Sequence, residues 1–259
     1  MNDAPRPIWV TVPELNAVPG LIHGFTERGG GVSPIPELAL NFGRSVGDSP
    51  ENISENLRRL GEAAGFDPAC LAFLKQVHGN HVVTRVNKGD LSRVNADAQI
   101  TDQPGIVLAV LIADCLPILV VDRRRRAVAA VHAGWRGTRG RILARAIESM
   151  RAEFRSTPGD LRVALGPGIR VDAYEVGEDV AATFRQEFGV GSGVVRETPG
   201  NRPHLDLFRA NWMIAVESGV PEAQVFDLGL CTATHVARFF SHRAENGRTG
   251  RAMAFVGFA

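Results

Sequence analysis

Cysteine is scarce in this chain of 259 residues, which carries only Cys70, Cys115 and Cys231. So sparse and odd a set excludes a disulfide-stapled scaffold and fits a reducing compartment. Net charge is equally scant: 29 basic against 28 acidic residues leave +1, which does not supply the electrostatic footprint of a general nucleic-acid binder. Long apolar runs are missing too. The longest, Ile106 to Ala113, is far shorter than the roughly 20 residues of a membrane-spanning helix. Met1 to Pro7 contains no apolar core of a signal peptide, so the expected location is the cytoplasm. Linkers, low-complexity tracts and internal repeats are likewise lacking, and residues 1–259 are expected to form one domain.

What is present is ordinary globular material. Hydrophobic residues make up 44% and charged residues 22%, enough apolar surface to fold by burying a core. Periodicity then predicts the elements. Ser49 and Pro50 suit the start of a helix carrying Ile53, Leu57, Leu60 and Ala64 at helical spacing. Ala72–Leu74 and His81–Val86 read as short strands around a turn containing His78 and Gly79. The β-branched run Gly105–Ile112 reads as a strand buried on both faces, with Leu116–Val121 as its continuation or neighbour. The arginines 123–126 are expected to form a solvated turn before a strand over Val128–Val131. Further helices are expected over Ile142–Phe154, Val176–Phe188 and Leu205–Val216, with strands at Leu161–Leu165, Val225–Leu230 and Ala252–Phe258. The Pro/Gly-rich regions Glu27–Pro36 and Thr198–Pro203 read as surface loops. This alternation predicts an α/β fold rather than an all-helical or all-β one.

Reactive side chains at the ends of buried strands are held rigidly at the mouth of a crevice. His78, Cys115 and His132 occupy such positions. Two imidazoles and a thiolate form a borderline-soft set suited to zinc, leaving a fourth tetrahedral position for water or substrate. The spacings match no zinc-finger pattern, so the ligands must converge through the fold. The competing reading is a core cysteine and two satisfied histidines.

The blocks Lys75-Gln76-Val77-His78-Gly79, Ala113-Asp114-Cys115-Leu116-Pro117 and His132-Ala133-Gly134-Trp135-Arg136-Gly137 occur in that order. They are joined by Arg28-Gly29-Gly30-Gly31, Asn41-Phe42-Gly43, Leu165-Gly166-Pro167-Gly168 and Tyr174-Glu175-Val176-Gly177. Together they resemble the YfiH laccase-domain family, whose names include polyphenol oxidase, purine nucleoside phosphorylase and peptidoglycan editing factor. The resemblance implies a single α/β domain of layered mixed β-sheets flanked by helices, with zinc on His78, Cys115 and His132. It also implies phosphorolysis of adenosine, inosine, guanosine or methylthioadenosine, with adenosine deamination. The expected partners are therefore small nucleosides and phosphate, neither a nucleic-acid polymer nor a membrane.

Phosphorolysis needs cationic or N–H donors to hold phosphate. Arg28 and Arg136, each in a glycine loop, are candidates, although each loop also reads as a plain turn. Asp114 is a candidate proton carrier or ligand-orienting group, with a strand-end hydrogen bond as the alternative, and Tyr174-Glu175 is open in the same way. Gln76 and Asn41 are candidate sugar or base contacts. His81, His204, His235 and His242 read as surface or structural residues. Among seven histidines there is no dense cluster of the kind a multicopper oxidase uses, yet copper stays open in an oxidase reading. Two other functions compete: a cysteine hydrolase or amidase with Cys115 as nucleophile, and a metal-storing or partner-binding protein.

Overall fold

The computed structural model describes residues 7–34, 39–88 and 93–259. Most of Met1–Pro7 and the end of the Glu27–Pro36 region lie outside them. Among the described residues, one mixed sheet has five strands, ordered β1 (Trp9–Val10), β2 (Leu21–Thr26), β15 (Ala252–Phe258), β8 (Val107–Ile112) and β3 (Leu71–Ala72). A second has six, ordered β14 (Val225–Asp227), β11 (Leu161–Leu165), β9 (Leu116–Asp122), β10 (Ala127–Ala133), β7 (Ala98–Thr101) and β5 (Val82–Thr84). Two ribbons pair β4 (Leu74–Lys75) with β6 (Val94–Asn95), and β12 (Val195–Arg196) with β13 (His204–Leu205). The helices are α1 (Pro13–Asn16), α2 (Pro50–Ala64), α3 (Trp135–Arg139), α4 (Ile142–Phe154), α5 (Glu178–Phe188) and α6 (Leu207–Glu217).

The period-two alternation of the strands sorts their side chains into layers. On β9, Leu116, Ile118 and Val120 join the core beneath α4, α5 and α6, while Leu119 and Val121 turn towards the other sheet. β10 does the same, with Ala127, Ala129 and Val131 on the helix side and Val128 and Ala130 between the sheets. There they meet Leu108 and Val110 of β8 and Ala254 and Val256 of β15. The outer face of the five-stranded sheet, with Val107, Ala109, Met253 and Phe255, is covered by Leu60 of α2. A one-residue slip in β9 or β10 would exchange these two faces, so burial on both sides fixes the register. The result is a mixed α/β fold of two sheets packed face to face between helices.

Polar groups pin the sheets together at one place. Gln99 of β7, fully buried, donates from Nε2 to the carbonyls of Ala72 at 2.8 Å and Ala109 at 2.9 Å, which belong to the opposite sheet. Its Oε1 accepts from Arg85 Nε at 3.1 Å.

Several expectations hold closely and others shift. Ser49 caps α2 by accepting from the Asn52 amide, and Gly65 ends it at φ +79°, a conformation that glycine adopts without strain. The Asp122–Arg126 turn is held by Asp122 Oδ1, which accepts from the amides of Arg124 and Arg125. The strand expected over Ala72–Leu74 is instead two short strands in different sheets, split at Phe73, whose carbonyl is taken by Arg85. Leu116–Asp122 is neither a continuation nor a neighbour of β8, because the chain crosses between sheets at 113–115. Val176 and Leu205 lie ahead of their helices, and the late strand stops at Asp227.

Candidate metal centre

The site forms where three chain breaks meet at one end of the two sheets. β8 stops at Ile112, and Ala113-Asp114-Cys115 carries the chain across to β9, with Asp114 at φ +87°. β10 ends at His132-Ala133, and Gly134 then caps α3. The loop 76–80 brings in His78, at φ +58°. Positive φ is costly for residues with a side chain, and both positions are held by specific bonds. The Asp114 backbone carbonyl accepts from the Ile169 amide at 2.8 Å. His78 is held by a carboxylate.

That carboxylate is Asp97, fully buried at the start of β7. Its Oδ1 accepts from the His78 amide at 2.9 Å and meets His132 Nδ1 at 2.8 Å. Its Oδ2 accepts from the amides of Gly79 at 2.7 Å and Val77 at 3.2 Å. One carboxylate thus shapes the loop of one histidine and orients the ring of the other, leaving His132 Nε2 for the site. The far side of the loop is fixed by Gln76, whose amide group donates to the Leu111 carbonyl and accepts from the Leu111 amide, both at 2.8 Å.

Ligand atoms of His78, Cys115 and His132 all lie within 4.8 Å of one another, and among the described residues no other such group of three His, Cys, Asp or Glu occurs. The two imidazoles stand edge to face with centroids 5.0 Å apart. Gly134 makes room for them: a Cβ there would sit 3.0 Å from Cys115 Sγ and 3.5 Å from His78 Cδ2. Tetrahedral zinc, with bonds of about 2.0–2.3 Å, spaces its ligand atoms roughly 3.3–3.8 Å apart, so the cluster closes on one ion by small side-chain rotations. The Asp97 carboxylate on the far nitrogen of His132 is the support that a metal-binding histidine usually has.

The electrostatics agree. Burial opposes ionisation of the Cys115 thiol, but the imidazoles of His132 and His78 outweigh it and hold the thiol down to about 6. Burial disfavours charge on His132, yet the Cys115 thiolate and Asp97 raise it above the ordinary histidine range. Burial likewise opposes the Asp97 charge, and the His132 ring with the Gly79 and Val77 amides overcomes that and lowers it. Groups so displaced, facing a cavity, mark a functional site.

The cavity has a volume of about 760 Å³ and exposes His78, Cys115, His132, Asp114 and Gln76. Much of its remaining wall is cationic: Arg44, Lys75, Arg93, Arg243 and Arg251. Asp114 is less free than its position suggests. Its Oδ1 accepts from the Thr232 hydroxyl at 2.7 Å and its Oδ2 from the Arg243 amide at 2.6 Å, so the carboxylate ties the C-terminal segment to the 113–115 crossing.

Three expected contacts stand elsewhere. Arg28 donates to Val236 O and pairs with Glu245 at 2.9 Å, locking two loops together. Asn41 is fully buried; its Oδ1 accepts from the Gly43 and Arg251 amides, and its Nδ2 donates to Asp48 and Gly43 O. Arg136 is exposed, with its guanidinium over the Trp135 ring at 4.4 Å. None of the three lines the cavity. Asn41 acts from behind it, by placing Arg251.

Asp97 and the arginines 44, 93 and 251 carry no signal in the reactive blocks. A signal for Asp97 does exist: it precedes Ala98-Gln99-Ile100-Thr101, whose apolar and polar residues alternate as in a strand.

Residues 22–259 match the family described as multi-copper polyphenol oxidoreductase laccase. The chain belongs to this laccase-domain family. Its relatives include a protein of Deinococcus radiodurans named purine nucleoside phosphorylase, 42% identical over 98% of this chain and 94% of its own. Purine nucleoside phosphorylase YlmD of Geobacillus stearothermophilus is 35% identical over 92% of this chain and 90% of its own. Crystal structures of YlmD from Geobacillus stearothermophilus and of hypothetical protein YfiH from Bacillus licheniformis superpose with TM-scores of 0.90 each. YlmD there is 33% identical and covers 100% of this chain and 98% of its own; YfiH is 29% identical and covers 99% and 98%. The laccase-domain fold and its layered sheets therefore belong to this chain as a whole.

Proposed function

We propose that this laccase-domain protein is a zinc-dependent purine nucleoside phosphorylase that acts on adenosine, inosine, guanosine or methylthioadenosine and also deaminates adenosine. The observation that carries the reading is the His78–Cys115–His132 cluster on the wall of a cationic cavity. The names of the relatives from Deinococcus radiodurans and Geobacillus stearothermophilus agree with it. In phosphorolysis a phosphate oxygen bonds to the anomeric carbon as the bond from that carbon to the purine nitrogen breaks. The electron pair leaves with the purine, and the proton of hydrogen phosphate ends on the base.

His78, Cys115 and His132 would hold the zinc, which supplies Lewis-acid charge for the departing purine and for activating water in deamination. The rest is the chain's own work. Asp97 keeps Nδ1 of His132 occupied and the 76–80 loop in place, so both rings stay aimed at the cavity. The cationic wall attracts phosphate and lowers the cost of bringing it beside the sugar. Asp114 fixes the segment that carries Arg243. Copper at the same three donors is the metal of an oxidase reading, and metal analysis of the purified protein separates the two.

A second reading draws on one observation: Asp97, His132 and Cys115 form a relay in which a carboxylate orients the histidine beside a thiolate. That is also the arrangement of a cysteine hydrolase or amidase. The two readings make opposite demands on metal. Incubating metal-quantified protein with adenosine, with and without phosphate, and identifying adenine, ribose 1-phosphate, inosine and ammonia tests the first reading. Phosphate-dependent adenine supports phosphorolysis, inosine supports deamination, and full turnover by metal-stripped protein overturns the zinc mechanism.

A further inference from the structure

We propose that the cavity is polarised about the His78–Cys115–His132 cluster: the wall of Arg44, Arg93 and Arg251 takes inorganic phosphate, and the wall of Tyr174 and Arg243 takes the purine. The assignment rests on the phosphorolytic reading, whose chemistry demands such a division. The nucleophile approaches the anomeric carbon from the side opposite the departing base, so phosphate and purine need separate walls with the sugar between them.

The first wall is built for an anion. Among the described residues, Arg44, Arg93 and Arg251 have no carboxylate within 4.0 Å, whereas Arg170, Arg185 and Arg238 all meet one. Arg93 lies over the Phe73 ring at 4.9 Å and feels the like charge of Arg44. Bringing two guanidinium groups together without an acid is unfavourable until an anion joins them. Arg251 is preplaced: its Nη1 donates to the carbonyls of Thr249 at 3.0 Å and Gly250 at 2.9 Å, and its amide donates to Asn41 Oδ1 at 2.8 Å. Gly43 lets its stem pass, since a Cβ there would lie 2.6 Å from Arg251 Cγ. Planar forks fixed in this way suit the oxygens of phosphate.

The second wall is aromatic. Tyr174, the chain's single tyrosine, lies beneath the Arg243 guanidinium at 5.3 Å. Both residues line the main cavity and also a side recess of about 280 Å³ that adds Trp135, Val176 and Val180. Burial and the Cys115 charge push the Tyr174 hydroxyl up to about 12, so it remains a neutral hydrogen-bond donor. The recess sets the faces of Tyr174, Trp135, Val176 and Val180 beside the guanidinium groups of Arg243 and Arg202 and the carboxylate of Glu175, and ring faces with donors and an acceptor around them match a purine and its ring nitrogens. The cations of the first wall do not line this recess.

The test titrates inorganic phosphate into zinc-loaded protein by calorimetry, alongside steady-state kinetics, using variants checked for zinc content and circular dichroism. Arg44→Gln and Arg93→Gln should weaken phosphate binding and raise KM for phosphate at least about tenfold, the loss expected for a charge-assisted hydrogen bond. KM for the nucleoside should stay within about twofold, because those residues do not meet the base. Tyr174→Phe should do the reverse, keeping phosphate affinity and losing nucleoside turnover. Arg124→Gln, at an exposed turn, controls for net charge and should bind phosphate as the parent does. A parent protein that binds no phosphate, arginine variants that bind it unchanged, or loss of phosphate binding in Tyr174→Phe would overturn the assignment. A protein that binds phosphate through Arg93 but cleaves no nucleoside would overturn phosphorolysis and the purine wall, leaving the anion wall standing.

Discussion

Asp97 Oδ1 lies 2.8 Å from His132 Nδ1 while the same carboxylate takes the amides of Val77, His78 and Gly79. The two histidines of the candidate metal centre, 54 residues apart in the chain by their numbers, are thereby placed by a single buried side chain. Asp97→Asn removes the charge and gives the amides one carbonyl oxygen where two carboxylate oxygens stood. Zinc affinity should fall about 10–100-fold, the usual cost of losing such a partner, as read by competition with a chromogenic chelator. Unchanged affinity in a folded variant would show that His132 is oriented by something else.

Gly134 provides a milder probe of the same cluster. Its φ of −74° and ψ of 175° suit any residue, so Gly134→Ala introduces no backbone strain. The new Cβ would stand 3.0 Å from Cys115 Sγ. The expected outcome is weakened zinc binding with a Tm close to that of the parent. A drop in Tm with normal zinc binding would contradict this account of the glycine.

Proton release on metal binding reports the ionisation of the His78–Cys115–His132 cluster. In metal-free protein near about pH 7.5 the Cys115 thiol, held below its ordinary value, is already a thiolate, whereas His132, raised above its own, carries a proton that a metal must displace. Zinc binding should therefore release about one proton, that of His132, as read by calorimetry in buffers of different ionisation enthalpy. Release from a neutral thiol as well would bring the count to about two and contradict the ion-pair description.

The thiolate should also be visible chemically. Alkylation of Cys115 in metal-free protein should rise with pH through a midpoint near 6 rather than near the ordinary thiol value of about 8.5. Zinc should suppress it across the range. Rapid alkylation of the zinc-loaded protein with turnover lost in parallel would favour the cysteine-hydrolase reading.

Away from the site, Gln99→Leu should lower stability without touching zinc affinity. It would strip the Ala72 and Ala109 carbonyls and Arg85 Nε of a buried partner, a loss of about 1–3 kcal/mol for each group left unsatisfied. Denaturant titration with m unchanged measures it. Stability equal to the parent would show that water replaces the amide.

The layers and most elements were legible because burial imposes periodicity: α2, α4, β8, β10 and β15 each carry a run of apolar residues at their own spacing. The three reactive blocks were legible because each sits at a strand end or turn. The crossing between sheets at Asp114 was not, since two successive apolar strands read alike whether they are neighbours or lie in facing sheets. Arg28 and Arg136 drew attention through their glycine loops and Asn41 as a sugar or base contact, and the fold sets all three outside the lining of the cavity. Arg44, Arg93 and Arg251 come from three separate segments, and only the folded chain sets them around one cavity. Asp97 was hidden because three of its partners are backbone amides, which leave no residue-type signature, and the fourth, His132, lies 35 residues away in the chain.

The most direct measurement of the central claim compares zinc-loaded and chelator-stripped protein, each incubated with adenosine with and without inorganic phosphate, while adenine and ribose 1-phosphate are quantified. The account predicts equal amounts of both products from the zinc-loaded protein only when phosphate is present, loss of both on stripping, and recovery on adding zinc. Undiminished product from the stripped protein, or adenine formed equally well without phosphate, would contradict it.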